Sequence, residues 1–245
     1  MEIKKYEDDL IAELETVVNE IITENPKLNI AVKKGERVGD AISKFFEDNF
    51  VAKTEAHALF SNSEASPTGK TKNPWDARTD YTIQGFKQDI WIDFKAVNVE
   101  NDDTNPDSGT PDKIIKHILN NNFYLVFIYV FYQGSNDGGL EFVKIDDKFV
   151  KPYFLKDISS TFRITPANQM QVNGSAKPEY RTREEFLQLL LTKKVESNER
   201  KLKKVTQELE NLKGGLFKKT KSMEIKLTDL SANNKSQEDA IKNLK

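Results

Sequence analysis

The sequence predicts an α/β domain followed by a helical arm, on three observations. Residues 79–97, TDYTIQGFKQDIWIDFKAV, alternate apolar and polar side chains on both sides of a turn, the signature of a β-hairpin. Residues 123–132, FYLVFIYVFY, are apolar on both faces, as a central strand requires. Leu191, Val195, Leu202, Val205, Leu209, Leu212 and Leu216 follow a heptad seam, with Asn198 at one seam position. The expected division is a domain over 1–181 and a helical, coiled-coil-like arm over 182–245.

Taken in order, residues 1–24 place Leu10, Leu14, Val17, Val18, Ile21 and Ile22 at helical spacing, and Asn25-Pro26 ends that helix. Residues 36–50 predict a second helix with Val38, Ile42, Phe45 and Phe46 on one face. Residues 61–76 are polar, with Pro and Gly, and predict a loop. Its Gly69-Lys70-Thr71 mimics the end of a phosphate-binding loop, but the required first glycine falls at Glu64, so no nucleotide cofactor is expected. The hairpin follows, then an acidic loop over 98–111 and a short helix over 112–122. After the central strand, 133–139 predicts a turn and 140–145 a returning strand. Residues 146–181 are irregular, with short strands at 161–164 and 170–172. In the arm, Gly214-Gly215 breaks the seam, and Met223, Ile225, Leu227, Leu230 and Ile241 mark a weaker second helix.

Composition narrows the function. With 245 residues, 37% hydrophobic and 31% charged, the chain is sized for one large or two small domains. Net charge is −2, so any nucleic-acid surface must concentrate its basic residues locally. There is no cysteine, which excludes disulfides and thiolate metal sites and fits a reducing cytoplasm. The amphipathic, acidic N-terminus lacks a secretory h-region, and the longest apolar run is half a membrane span. No membrane partner is expected. Richness in Asn, Lys and Ile points to an AT-rich, prokaryotic source. His57 and His117 have no ligand-spaced partner, against a zinc site.

The hairpin holds charged residues inside apolar strands. Pairing Ile83 with Ile90 and Tyr81 with Ile92 leaves a four-residue loop, Gly85-Phe86-Lys87-Gln88, and sets Asp80 directly across from Asp93. Their Cβ atoms would then lie roughly 4.5–5.5 Å apart, with Lys95 two residues further on the same face. Like charges at that distance destabilise a sheet unless one takes a proton or a cation sits between them. Oxygen ligands without thiolate or imidazole suit Mg²⁺.

This arrangement resembles the PD-(D/E)xK nuclease superfamily and, within it, the type II restriction endonucleases. The resemblance rests on Thr79-Asp80-Tyr81-Thr82-Ile83 and Ile92-Asp93-Phe94-Lys95-Ala96, with twelve residues between the two acids and Thr79 where the family has proline. It covers about residues 30–145 and implies a restriction-endonuclease-like core: a mixed central sheet flanked by helices, in αβββαβ order. It further implies that Asp80, Asp93 and the Phe94 carbonyl hold Mg²⁺ while Lys95 positions the attacking water. Hydrolysis of duplex DNA then leaves 5′-phosphates. The family's helix acid maps to Glu36 or Asp40. Glu36 is preferred, lying roughly 135° from the centre of the apolar face against roughly 175° for Asp40.

Candidate DNA contacts are Lys70, Lys72 and Arg78 before the hairpin, Lys87 and Gln88 at its tip, and Asn105, Ser108 and Thr110 in the long loop after it. Asn168, Gln169 and Gln171 form a candidate base-reading loop. Asp76, just before the hairpin, is expected to serve a loop or cap. The implied function is a homodimeric type II restriction endonuclease of the prokaryotic cytoplasm, symmetric like a palindromic site. A repair or junction-resolving nuclease of the same superfamily is one alternative, and a non-enzymatic coiled-coil adaptor is another.

Overall fold

The computed structural model describes residues 2–29, 38–67, 75–100, 107–120, 123–136, 138–213 and 220–243. The elements run α1 (Ile3–Glu24), β1 (Lys27–Leu28), α2 (Val38–Thr54), β2 (Phe60–Ala65), β3 (Ala77–Ile83), β4 (Phe86–Asn98) and α3 (Pro111–Asn120). They continue as β5 (Phe123–Gly134), β6 (Leu140–Phe142), β7 (Val150–Phe154), a 3-10 turn at Leu155–Asp157, β8 (Arg163–Ile164), β9 (Met170–Gln171), α4 (Arg183–Lys213) and α5 (Thr220–Lys242).

Among the described residues the main sheet has seven strands in the order β1-β6-β5-β4-β3-β2, with β7 also paired to β5. It is mixed. β4 and β5 run parallel, joined through α3, and the other pairs are antiparallel. A parallel pair needs a crossover rather than a hairpin, and the 98–122 stretch is long enough to supply it. β5 is covered on both sides. Val126, Ile128 and Val130 face a core with Leu10, Leu14 and Val18 of α1 and Ile42, Phe46 and Phe50 of α2. Phe127, Tyr129 and Phe131 face a second core with Ile114 of α3 and Phe186 and Leu190 of α4. The fold is therefore a three-layer α/β sandwich in which both faces of the sheet carry helices.

Two features depart from the expected elements. Part of the stretch read as a loop, 61–76, is the edge strand β2, whose sequence FSNSEA buries only Phe60. It carries a register irregularity between Ser61 and Glu64, with Asn62 at φ 53°. A polar, bulged edge strand has no alternation to read, and it protects the sheet edge from further pairing. The arm is also not separate from the domain at residue 182. The first turns of α4 supply Phe186 and Leu190 to the second core, and α4 also packs against α5. Asn198, the polar seam residue, is buried in α4 beside Ser197, and Leu209 is buried further along.

A buried ion cluster ties α1 to the 3-10 turn that follows β7. Lys156 Nζ lies 2.9 Å from Glu7 Oε2 and 2.9 Å from Asp157 Oδ1, and donates to the Arg181 carbonyl at 2.7 Å. Its ammonium also sits over the Tyr180 ring, 4.4 Å from the centroid.

Candidate active site

β3 and β4 join through a two-residue turn, with Gln84 at φ 51° and Gly85 at φ 78°. Two successive positive φ values match the strand twist, and glycine adopts them without strain. The tight turn sets the register: Ile83 faces Phe86, Tyr81 faces Gln88 and Asp80 faces Asp89. The four-residue loop and the Asp80–Asp93 pair expected from the sequence are therefore not formed. The strands are displaced by four positions from that reading. An even displacement keeps every side chain on its expected face, so the hydrophobic pattern could not reveal it.

Asp80 is a surface-pair residue in this register. It bridges Lys87 at 2.8 Å and accepts a hydrogen bond from Asn62 at 2.7 Å. Burial acts to raise its carboxyl, but Lys87 and Asn62 outweigh that and hold it below its usual value. Asp89, across from it, is gripped by Arg78 through two hydrogen bonds of 2.8 and 2.9 Å. Each carboxylate of that pair thus has its own cation.

The acid that meets Asp93 is Asp76. Ala77 pairs with Ile92, so Asp76, the next residue back, lies beside Asp93. Asp76 accepts a hydrogen bond from the Phe94 amide at 2.8 Å, while its own amide donates to the Ile92 carbonyl at 2.8 Å. The two carboxyl groups are within hydrogen-bonding reach. Burial, and then the charge of Asp93, push Asp76 up to about 7. Burial raises Asp93 too, with Lys95 pulling the other way. Lys95 Nζ bridges Asp93 Oδ1 at 2.7 Å and lies 5.7 Å from the centroid of the Phe127 ring. Burial disfavours its charge, but Asp93 and Asp76 more than compensate, and the ammonium is held above its usual range. The tips still reach solvent: 15% of the Asp93 side chain and 25% of the Lys95 side chain are exposed.

Helix α2 closes the other side. Ser43 donates to the Phe94 carbonyl at 2.9 Å. Glu47, only 7% exposed, lies close enough to add to the repulsion on Asp76, and it pairs with Lys44 at 3.1 Å. Glu36, the helix acid preferred from the sequence, lies outside the described residues, and Asp40 is exposed. Glu47 does not lie on the polar side of the helix, where sequence reasoning places an acid. Its signal was an acid one residue after Phe46 and three before Phe50, at the border of the apolar face.

The candidate DNA contacts divide by position. Lys70, Lys72 and Asn105 lie outside the described residues. Arg78 and Lys87 are engaged with Asp89 and Asp80, and Gln88 lies in β4 across from Tyr81. Ser108 is fully buried and so presents nothing to a base in this conformation. The two polar loops, distant in sequence, are one structure. Thr110 Oγ1 donates to Gln169 Oε1 at 3.4 Å, Asn168 to Asp112 at 2.8 Å, and Gln171 to Asp107 at 2.8 Å. His57 pairs with Glu13 at 3.1 Å and His117 packs edge-on against Trp91.

The donor set is oxygen only: two facing carboxylates, a third nearby and a backbone carbonyl. Among the described residues no group of three or more Asp, Glu, His or Cys side chains is gathered closely enough to hold a metal ion. No helix among them is long and apolar enough to cross a membrane. A family model described as SwaI-like, SwaI restriction endonuclease, matches residues 2–212, from α1 to the end of α4 but not α5. No curated protein matches the chain.

Proposed function

The chain belongs to the SwaI-like restriction endonuclease family, and from that membership we propose that it is a type II enzyme: a homodimer that cuts both strands of duplex DNA at a short site. The observation that carries the chemistry is the Asp76–Asp93 pair across β3 and β4, with Lys95 on the same face. We assign it as the PD-(D/E)xK-type centre, with Asp76 in the place the sequence reading gave to Asp80.

Two largely buried carboxyls this close ionise together only at a cost, even with Lys95 beside them, and hard oxygen donors suit Mg²⁺, which keeps several waters and binds through one or two carboxylates. Asp76, Asp93 and the Phe94 carbonyl are the groups that would hold it, with Glu47 the helix acid. The ion supplies Lewis acidity to the scissile phosphate and the attacking water. Lys95, fixed by Asp93, is placed to orient that water and to offset charge developing on the phosphate during in-line attack, which leaves a 5′-phosphate. The Thr110, Asn168, Gln169 and Gln171 cluster is the candidate base-reading surface. One site per chain and two strands to cut favour the dimer, with two-fold symmetry matching a palindromic target. Defence of a prokaryotic cytoplasm against foreign DNA is the setting this implies.

The test is a gel. Unmethylated phage DNA is incubated with the protein, with Mg²⁺ or EDTA, beside Asp76→Asn, Asp80→Asn and Asp93→Asn. Discrete Mg²⁺-dependent fragments should vanish in the first and third variants and persist in Asp80→Asn. The expected loss is about 10²–10³-fold or more, the size seen when one stabilising group of an active site is removed. Loss in Asp80→Asn with activity kept in Asp76→Asn would return the site to the other register. Intact DNA from two unrelated genomes would refute the endonuclease reading.

A further inference from the structure

Behind Lys95 lies a buried polar cluster that the proposed hydrolysis does not yet use. β5 runs parallel to β4 with Asp93 beside Phe127 and Lys95 beside Tyr129, so both β5 side chains share the face of the site. Tyr129 and Tyr153 are 1% and 6% exposed. The Tyr153 hydroxyl donates to the Tyr129 oxygen at 2.8 Å. The Ser108 hydroxyl, on a fully buried residue, is within hydrogen-bonding reach of both phenols.

Three hydroxyls in an apolar layer of Phe127, Ile158, Phe162 and Met170 are costly to bury unless their hydrogen bonds are made, and a packing role alone would be filled by phenylalanine. Their position suggests what they serve. Lys95 has three N–H donors. Asp93 takes one, and the Phe127 face offers the ammonium only its π-cloud. Tyr129, on the adjacent strand position, brings a phenol whose orientation is set from behind by Tyr153 and Ser108.

Ser108 is itself placed by a distant element. Its amide donates to the Met170 carbonyl at 2.8 Å, and the Met170 amide donates to the Gly109 carbonyl at 2.9 Å. Gly109 has φ +91°, which lets the segment turn inward against Ile114. The Asp107–Thr110 segment is thus an extra edge on β9, joined to the Asn168–Gln171 cluster and, through Ser108, to the phenols of Tyr153 and of Tyr129, the β5 neighbour of Lys95.

We propose that Tyr129, Tyr153 and Ser108 are positioning residues that hold the Lys95 ammonium against Asp93, and that the Asp107–Thr110 segment carries their alignment from β9. This rests on the assignment of Asp76, Asp93 and Lys95 as the active site. Outer partners that orient an active-site group typically contribute 10–100-fold.

The test combines cleavage with a readout independent of it. Protein labelled with ¹³C at lysine is observed by NMR without metal, and the Lys95 ε-methylene signal is assigned by its loss in Lys95→Arg. Tyr129→Phe and Ser108→Ala should each shift that signal while leaving the other lysine signals nearly unchanged, with the melting temperature lowered only as far as the lost buried hydrogen bond requires. Single-turnover cleavage of phage DNA should fall about 10–100-fold in Tyr129→Phe, with metal-free DNA binding retained. An unmoved Lys95 signal overturns the inference, as does a wild-type cleavage rate. A parallel fall in melting temperature, DNA binding and rate would also overturn it, by showing a packing role. If instead Asp76→Asn and Asp93→Asn cleave normally, the active-site assignment fails, whatever the lysine signal does.

Discussion

Asp76 concentrates the cost of the site in one group. Its carboxyl is moved from an ordinary 3.8 up to about 7, by burial first and by Asp93 second. Between those values the folded chain holds a proton that the unfolded chain has released. Asp76's contribution to the stability of the metal-free protein is therefore greatest below the lower value, and it is lost as the pH rises from about 4 to about 7, by on the order of a few kcal/mol. Thermal melts in EDTA should fall across that window, and Asp76→Asn should flatten the fall. Mg²⁺ should raise the melting temperature more at about pH 8 than at about pH 5, where it must displace the proton. Equal stabilisation at both would count against Asp76 as a ligand. From the sequence, Asp93 and Lys95 could be recognised because they interrupt an apolar strand. Asp76 could not, since it precedes its strand by one residue and only the register brings it to Asp93. Glu47 was hidden by its place next to two buried phenylalanines.

At the scale of elements, the turn at Gln84-Gly85 decides which acid enters the site. Gly85→Ala places a Cβ in the left-handed region at φ 78° and should cost about 1 kcal/mol. Gln84→Asn puts the preferred residue of this turn at φ 51° and should gain about 0.5 kcal/mol. Urea midpoints check both, and a null effect from both would mean that the turn does not set the register. The long strand β5 was legible in sequence because burial on both faces demands an unbroken apolar run. β2 was not, because an edge strand facing solvent keeps polar residues and gains most of its stability from backbone pairing. The β9 contact with the Asp107–Thr110 segment joins residues some sixty positions apart, a link no local pattern records.

For the whole molecule, the question is where the working unit ends. α4 begins inside the second core, whereas α5 packs chiefly against α4 among the described residues, and the family match stops at 212. A chain ending at residue 213 should fold and retain Mg²⁺-dependent cleavage, while one ending at residue 181 should not fold. Phe186→Ala, which empties a fully buried position, should cost about 3–5 kcal/mol. Circular dichroism melts and the phage-DNA gel report both. A stable, active chain ending at residue 181 would show that α4 is an appendage after all. The removal of Lys156, which would leave Glu7 and Asp157 buried together, should be of similar cost, about 3–5 kcal/mol, read from the Lys156→Ala melt.

Alternation and periodicity in the sequence determined which residues form the layers and which face of the hairpin carries the charges. Burial of apolar side chains depends on parity along a strand and on turns along a helix, and both are local. The pairing of Asp76 with Asp93, the approach of Glu47, and the phenols behind Lys95 were decided only in the tertiary structure. Those contacts depend on strand register and on the docking of one element against another, and a register displaced by an even number of residues buries the same faces while bringing together a different pair of acids.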